Sequence, residues 1–479
     1  MKLIYEKSVP GRRGVSLPAS DVPPAPPVPE DLRRRAPLSL PEVSELEVVR
    51  HFTSLSRLNL SVDTHFYPLG SCTMKYNPKA LEDASRLFEP FHPMTALLPG
   101  GEALSQGCLA LLHHASELLA EITGMDRVIS QPLAGAHGEM TGMMLVAAYH
   151  RAKGRRRRYV IVPDSSHGTN PASAAMVGYE VLTVPTAPYG DMDLDRFREM
   201  MTDEVAAVMM TCPNTLGLFN PHVGEICELA HERGALLYYD GANLNAILGK
   251  VRPGDLGFDV IHVNLHKTFG TPHGGGGPGA GPIGVKEELV PFLPVPRVVR
   301  REDGSFGVET EDPRSIGRIA DFFGNFAVVV KAYAYILMLG RAGLVNVSEQ
   351  AVLNANYVRS RLKDVFELPF DQTCLHECVF SAARQAKNGV RALDIAKYLI
   401  DRGFHPPTVY FPLIVKEAMM IEPTETETKE TLDAFIAALR EAAEKAENAP
   451  AELLAAPVTT PVSRLDEVKA AREQNTCFG

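Results

Sequence analysis

"VAAVMMTCPNTLGLFNPHVGEICELAHERGALLYYDGA", residues 205 to 242, carries the pattern that decides the fold. A β-rich apolar run at 205 to 213 gives way to a helical pattern, "HVGEICELAHERG", which closes on Gly234 at a C-cap position. A second β-rich run, "ALLYYDGA", follows at once. Strand, helix and strand at this spacing imply a right-handed crossover between parallel strands. Further out, "YVIVP" (159 to 163), "VLTVP" (181 to 185) and "DVIHVNLHK" (259 to 267) are runs of the same kind, each bounded by Pro, Gly or polar residues. The series predicts an α/β fold: a mainly parallel sheet with helices on both faces, whose ligands bind at the carboxyl ends of the strands.

At 479 residues the chain is too long for a single compact core. The stretch Val9 to Pro41 is proline-rich ("PPAPPVP" at 23 to 29) and reads as an extended arm lying on something, such as a neighbouring subunit. Near Gly324 to Gly343 a long apolar helix begins, "NFAVVVKAYAYILMLGRAGL", and an α-rich region follows. The expected organisation is an arm at 1–60, a large domain at 61–325, a smaller α+β domain at 326–450 and a C-terminal extension at 451–479. The apolar helix has the length of a membrane span, but Lys331, its tyrosines and the lack of other spans favour a buried core helix.

A net charge of −10 argues against a chain that coats nucleic acid, which is bound by surplus Lys and Arg. The run Lys153, Arg155 to Arg158 reads as a solvated helix end, with a docking patch for an acidic protein as the alternative. Met1 to Arg13 lacks the apolar centre of a signal peptide, so a cytoplasmic location is expected. The seven cysteines (72, 108, 212, 227, 374, 378, 477) are scattered and odd in number, as in a reduced protein. Cys374 and Cys378 lack a second Cys or His pair, and no metal is expected.

The candidate chemistry centres on "NLHKTFGTPHGGGG", residues 264 to 277. A nucleophilic lysine must lose its proton against an intrinsic pKa of roughly 10.4, and its use is condensation with a carbonyl group. Lys267 falls at the end of the apolar run 260 to 265, where such a sheet presents reactive groups; a solvated strand end is the bland account. Asp240 ends "LLYYD" at the same edge, placed either to keep a pyridine nitrogen protonated or simply to cap a helix. His167, in "DSSHGTNP" (164 to 171), follows "YVIVP" and can stack on a ring, although its neighbours make an ordinary capping loop. In "QPLAGAHGEM" (131 to 140), Gly135 and Ala136 leave backbone N–H groups free at a helix start, which suits a phosphate. The glycines of "HGGGGPGAG" (273 to 281) do not form a nucleoside triphosphate loop, because no Gly-Lys-Ser/Thr follows and Pro278 breaks the required helix.

Phosphate turn, histidine, aspartate and lysine in this order resemble the aspartate-aminotransferase-like pyridoxal phosphate enzymes. The resemblance implies pyridoxal 5'-phosphate held covalently by Lys267, with Asp240, His167, Ala242, Gly135, Ala136, His266 and Asn264 around it. The stretches "FYPLGSCTMKYNPK" (66 to 79), "GFHPPTVYFPL" (403 to 413), "MMIEPTETETKETL" (419 to 432), "LHE" (375 to 377) and "VNLHKTFGTPHGGGGPGAGPIGV" narrow it. They are similar to signatures of the glycine cleavage P-protein family, over about residues 40 to 450. In length and in bearing the lysine, the chain resembles subunit 2 of the split form of that family. The implied partners are the lysine-lacking subunit 1, in an α2β2 assembly, and the lipoylated H-protein. The implied reaction is decarboxylation of glycine, with transfer of the aminomethyl group to the lipoyl disulfide.

Leu133, Ala134 and His137 depart from the Asn, Ser and Gln that relatives often carry, which leaves phosphate contacts there to backbone donors. Candidates for lining a lipoyl channel are Ser71, Thr73, Lys75, His92 and His405; Cys72 reads as a small buried residue. Two other readings compete: cysteine desulfuration, which wants a cysteine on a mobile loop, and an assembly subunit with a vestigial site, which the presence of Lys267, Asp240 and His167 disfavours.

Overall fold

The computed structural model describes residues 2–36, 38–88, 92–273 and 277–474. Gly274 to Gly276 of the glycine run, and Cys477, lie outside these residues. The chain divides into two compact units, Met1–Thr64 and His65–Gly479.

In the first unit, residues 2 to 44 run mostly without regular structure and are largely exposed. The proline-rich sequence cannot supply the backbone donors that helix or sheet would need. One helix, Glu45–Ser56, forms behind a capping box in which Ser44 and Glu47 exchange hydrogen bonds. Arg12 pairs with Glu47 at 2.5 Å, and the Val9 N–H donates to the Glu42 carbonyl at 2.9 Å, so the arm folds back on its own helix.

The second unit is built on a seven-stranded sheet: β1 (Arg127–Ile129), β2 (Tyr159–Pro163), β3 (Glu180–Val184), β4 (Val205–Thr211), β5 (Leu236–Gly241), β6 (Val260–Val263) and β7 (Ile283–Val285). Their spatial order is β1-β7-β6-β5-β4-β2-β3. Only β7 runs against the rest, antiparallel to both β1 and β6. Successive side chains leave the strands on opposite faces. Val160, Val162, Ala207, Met209, Leu236 and Tyr238 therefore join one core, while Ile161, Val208, Met210, Leu237 and Tyr239 join the other. The first core is covered by the helix Gly135–Ala152; the helices Gln106–Thr123 and Val223–Glu232 contribute to the second.

A two-stranded hairpin, β8 (Arg297–Arg300) and β9 (Phe306–Glu309), follows. The C-terminal region carries a small antiparallel sheet ordered β10 (Cys378–Ser381), β12 (Ala418–Ile421) and β11 (Thr408–Val409). It shares a core with the helices Ala392–Asp401 and Lys429–Asn448, to which Phe66 also contributes. Leu453 and Ala456, beyond residue 450, are buried in that core.

The long apolar helix runs Phe326–Leu362, interrupted at Gly340, whose φ of 58° leaves the helical region. By length and composition it could cross a membrane. In this fold its first half buries Val328, Val329 and Ile336 against the large-sheet core, and its second half buries Ala355, Val358 and Leu362 in the small core. No disulfide links the six described cysteines.

Candidate active site

The carboxyl ends of β2, β5 and β6 bring the candidate residues to one edge of the sheet. Asp240, on β5, is buried and sits in register with His262 of β6. Its Oδ2 accepts the Asn170 side-chain amide at 2.8 Å and its Oδ1 accepts the Ala242 N–H at 3.0 Å. His262 Nε2 faces Oδ1 at 3.4 Å, while its Nδ1 lies 2.6 Å from the Tyr238 hydroxyl. Burial pushes the Tyr238 phenol well above its ordinary range, so that hydroxyl keeps its proton and donates to Nδ1. The network thereby assigns the imidazole proton to Nε2, on the side of Asp240 but without a hydrogen-bond acceptor among the described residues. Burial alone would raise the Asp240 pKa, but His262, Asn170, the Ala242 N–H and Lys267 together hold it below the usual carboxylate value. The site therefore contains a buried, ionised carboxylate at neutral pH.

Close packing makes room for this network. A Cβ on Gly138 would come within 2.9 Å of His262, and one on Gly142 within 2.3 Å of Tyr238, so these two glycines let the helix Gly135–Ala152 lie directly on the polar residues of the sheet. Between them Glu139 is buried, accepting hydrogen bonds from Thr169 Oγ1 (2.8 Å) and Asn170 Nδ2 (3.4 Å). Burial, with the Asp240 charge adding to it, raises its pKa from 4.5 to about 8. Between those values the native chain holds a proton that the unfolded chain releases. The stabilisation from this group is complete below pH 4.5 and is lost as pH rises through 8, at up to ~1.4 kcal/mol per pH unit. Glu139→Gln is expected to flatten the fall in denaturant stability between pH 5 and 8. An unchanged slope would mean that Glu139 is ionised in the native state.

Lys267 follows β6, but not as an extended residue. The strand ends at Val263, Asn264 takes an N-cap conformation, and Lys267 lies in a single helical turn, Leu265–Thr268. This corrects the strand end expected at residue 265; a polar Asn placed after four buried residues starts the turn. The positive charge of Lys267 acts on Asp240, Glu139, His167, His262 and His266. It also acts on Cys72, His376, Glu377 and Glu422. Among the described residues no carboxylate lies within ion-pair distance of its Nζ. The lysine is thus surrounded by titratable groups but held by none of them.

At the other side of the site, Gly135 opens its 18-residue helix directly against Asn264, whose amide atoms would lie 2.7 and 2.8 Å from any added Cβ. Gly135 and Ala136 are the first residues of that helix, where backbone donors have no intrahelical acceptor. Asn264 Oδ1 and Thr271 Oγ1 are buried without a partner among the described residues. His266 accepts the Ala280 N–H on Nδ1 at 3.2 Å, and burial, with His273 and Lys267 adding to it, lowers its pKa to about 4. A neutral His266 then carries its proton on Nε2, ready to donate. His167 is exposed on the loop after β2, with Nδ1 2.7 Å from Thr169 Oγ1 and its ring in an edge contact with Phe411, 5.8 Å between centroids.

These features fit pyridoxal phosphate. A helix start and a neutral histidine donor suit the phosphate, and unpartnered buried atoms beside them leave polar capacity unused. An ionised aspartate suits a protonated ring nitrogen, and a lysine without an ion-pair partner suits the aldehyde carbon. Of the expected set, Ala242 contributes its N–H to Asp240 rather than to a ligand.

The channel candidates separate. Ser71 and Thr73 stand in the left-handed region, φ 62° and 51°, and their N–H groups donate to Glu377 (2.8 Å) and Glu422 (3.0 Å). Lys75 is 2% exposed and saturated: its Nζ reaches Glu425 at 2.7 Å, the Thr268 carbonyl at 2.5 Å, Tyr335 at 3.1 Å and Asn245 at 3.3 Å. It is a structural cation and lines no channel, because every ammonium donor is spent inside the protein. Lys75→Met strands Glu425 without its counter-ion and is expected to cost about 3–5 kcal/mol in denaturant unfolding. A cost below 1 kcal/mol would contradict that role. His92 is exposed; its Nδ1 accepts the Met94 N–H and its ring meets Phe322 and Phe326, with no interaction to the residues around Lys267 among those described. His405 stacks on Tyr67 with 3.5 Å between ring centroids.

Reading by motif passed over Glu139, Asn170, His262, Asn243, Glu377 and Glu422, although most lie inside the quoted stretches. The signal available was a polar residue in a position whose apolar neighbours alternate, as His262 does within "VIHV".

Residues 22–304 match the family model described as glycine cleavage system P-protein, and residues 347–456 that of the glycine dehydrogenase C-terminal domain. The chain is 56% identical to the probable glycine dehydrogenase (decarboxylating) subunit 2 of Desulforamulus reducens, over 98% of each chain. It is 54% identical to the protein of the same name from Listeria monocytogenes, over 99% of this chain and 97% of that one. Among solved structures, an inhibitor-bound glycine decarboxylase (P-protein) aligns with TM-score 0.71 at 23% identity, over 86% of this chain and 93% of that one. The cysteine desulfurase CsdA from Escherichia coli aligns with TM-score 0.62 at 18% identity, over 82% and 98%. Fold and site together define a pyridoxal phosphate-dependent enzyme with the aspartate-aminotransferase-like architecture. Within that class, the chain belongs to the glycine cleavage system P-protein family.

Proposed function

We propose that this chain is the lysine-bearing subunit of a glycine-decarboxylating enzyme, working in the cytoplasm with a lysine-lacking subunit 1 in an α2β2 assembly. It releases the glycine carboxylate as CO2 and passes the aminomethyl group to the lipoyl disulfide of H-protein. The observation that carries the reading is a Lys267 without an ion-pair partner among the described residues, acting electrostatically on a buried, ionised Asp240, in a chain more than half identical to relatives named for this activity. When bound, the cofactor supplies the electron sink for the pair left behind by departing CO2.

The chain's own residues do the rest. Lys267 Nζ would hold the cofactor. Asp240, kept ionised by His262, Asn170 and Ala242, would supply the counter-charge to a protonated ring nitrogen. The Gly135 helix start, Asn264 and His266 would hold the phosphate, and His167 would lie against the ring. Cysteine desulfuration finds less support: Cys72 is the cysteine whose ionisation Lys267 influences, and burial raises its pKa, which keeps it a thiol.

The reading is tested by incubating this chain with subunit 1, pyridoxal phosphate, glycine and lipoylated H-protein, then weighing H-protein. An aminomethyl adduct on the lipoyl arm is expected. A lipoyl arm unchanged in mass, while glycine is consumed, would redirect the assignment to another pyridoxal reaction.

A further inference from the structure

Glu377 immediately precedes β10 and Glu422 immediately follows β12, and the antiparallel register pairs Cys378 with Ile421. The two carboxylates thus stand directly opposite each other at the end of the small sheet. Both are buried, at 2% and 0% exposure. Together with His376, each offers one ligand-type atom, all within 4.8 Å of one another. Like charges directly across an antiparallel pair repel, and in a buried setting two carboxylates at this spacing cannot both ionise. Among the described residues neither has a Lys or Arg within ion-pair distance. Lys267 is the cation whose charge acts on both. Among the described residues, the other titratable groups facing the pair are Cys72 from the loop 70–75, Cys374 and His376 from the turn before β10, and Cys378 of β10 itself. His376, pushed down to about 3 chiefly by burial, is neutral.

Hydrogen-bond donors distinguish the two carboxyl groups. Glu422 accepts three: the Thr73 N–H at 3.0 Å, Thr73 Oγ1 at 2.7 Å and Asn243 Nδ2 at 2.7 Å. Among the described residues Glu377 accepts one, the Ser71 N–H at 2.8 Å, and its other oxygen lies 3.7 Å from His376 Nε2. A carboxylate with three donors is stabilised as an anion, whereas one with a single donor in a buried site is more stable as the acid. Both pKa values lie above the ordinary range, chiefly through burial, and that of Glu377 lies well above it.

We propose that Glu377 and Glu422 form a dyad holding one proton, carried by Glu377, and that Glu377 is the acid that protonates the sulfur released in the transfer step. This rests on the proposed function. In that step a bond forms between the aminomethyl carbon and one sulfur of the cyclic disulfide, using the electron pair left by CO2. The sulfur–sulfur bond breaks with its pair on the second sulfur. The disulfide is reduced by two electrons and the carbon oxidised by two. The second sulfur takes the proton from Glu377 and departs as a thiol; solvent then restores the proton to the dyad. The loop Ser71 to Thr73, bonded to both carboxylates, places Cys72 and the dyad beside Lys267.

Two measurements test this. Infrared spectra of the intact chain at pH 7, with and without deuterium exchange, are expected to contain, beside the band of protonated Glu139, a buried carboxylic-acid band that disappears in Glu377→Gln and persists in Glu422→Gln. Glu377→Gln spectra that lose no acid band, or a band lost only in Glu422→Gln, would overturn the assignment of the proton. In single-turnover transfer to lipoylated H-protein with subunit 1 present, Glu377→Gln is expected to slow transfer roughly 10²-fold or more while glycine binding, followed by cofactor absorbance, is unchanged. The wild-type rate should fall as pH rises through the dyad's second ionisation, and that fall should be absent in Glu377→Gln. An unslowed transfer in the variant would refute the donor role. If the wild-type chain makes no lipoyl adduct at all, the functional reading and the sulfur as recipient both fail, whereas the infrared result still decides where the proton resides.

Discussion

Lys267→Ala is expected to abolish the covalent link to pyridoxal phosphate and to lower turnover on the order of 10⁴-fold or more, the scale seen when a nucleophile is removed from a preassembled site. The size of the effect follows from the surroundings. The charge of Lys267 bears on two groups of acids, one around Asp240 and one around Glu377, so no second amine stands in a comparable field among the described residues. Lys75, the other lysine buried in this region, is committed to Glu425, Tyr335, Asn245 and the Thr268 carbonyl and cannot substitute. Borohydride reduction followed by peptide mapping checks the link directly. Cofactor mass on the peptide containing residue 267 is expected in the wild-type chain and none in the variant. Cofactor mass on a different lysine of the wild-type chain would contradict the site.

Asp240→Asn is expected to leave the cofactor attached and to lower turnover by roughly 10²–10⁴-fold. An amide preserves the shape and the hydrogen-bonding span of the side chain but removes the negative charge. The ring-nitrogen proton loses its counter-charge, and the electron sink weakens with it. The relay behind the carboxylate sharpens this expectation. Tyr238 fixes His262 with its proton on Nε2, 3.4 Å from Oδ1 of residue 240, so an asparagine there is expected to turn its oxygen rather than its NH2 to His262. Covalent cofactor content and turnover, measured on the same preparation, separate the chemical loss from a binding loss. Turnover within threefold of wild type would show that the charge of Asp240 has no part in the chemistry.

Much of this architecture was legible because its signals are local. The strands β2 to β6 each carry a mostly apolar, β-rich run, and Gly234 marks the end of a helix between two of them. β1 and β7 have three residues each, too few for a period to register, and β7 alone breaks the parallel order. Asp240 and Lys267 could be placed at one edge because one lies at the end of β5 and the other just beyond β6, parallel strands that end on the same side. What escaped is tertiary. Glu377 and Glu422 are 45 positions apart and meet only through the β10–β12 register. Lys75 read as a channel residue because its partners lie 170 to 350 positions away, where no motif shows them. Polar residues whose role is to set the charge of a neighbour, such as His262 and Asn170, look in sequence like interruptions of a strand or a cap.

A Lys267-centred site that cleaves the carboxylate from glycine also exchanges it with dissolved CO2. Exchange of labelled bicarbonate into the glycine carboxyl group reads that reaction, using this chain with pyridoxal phosphate, subunit 1 and lipoylated H-protein, beside Lys267→Ala. Incorporation of label that disappears in the variant is the predicted result. A wild-type chain that binds the cofactor at Lys267 yet incorporates no label would contradict the claim.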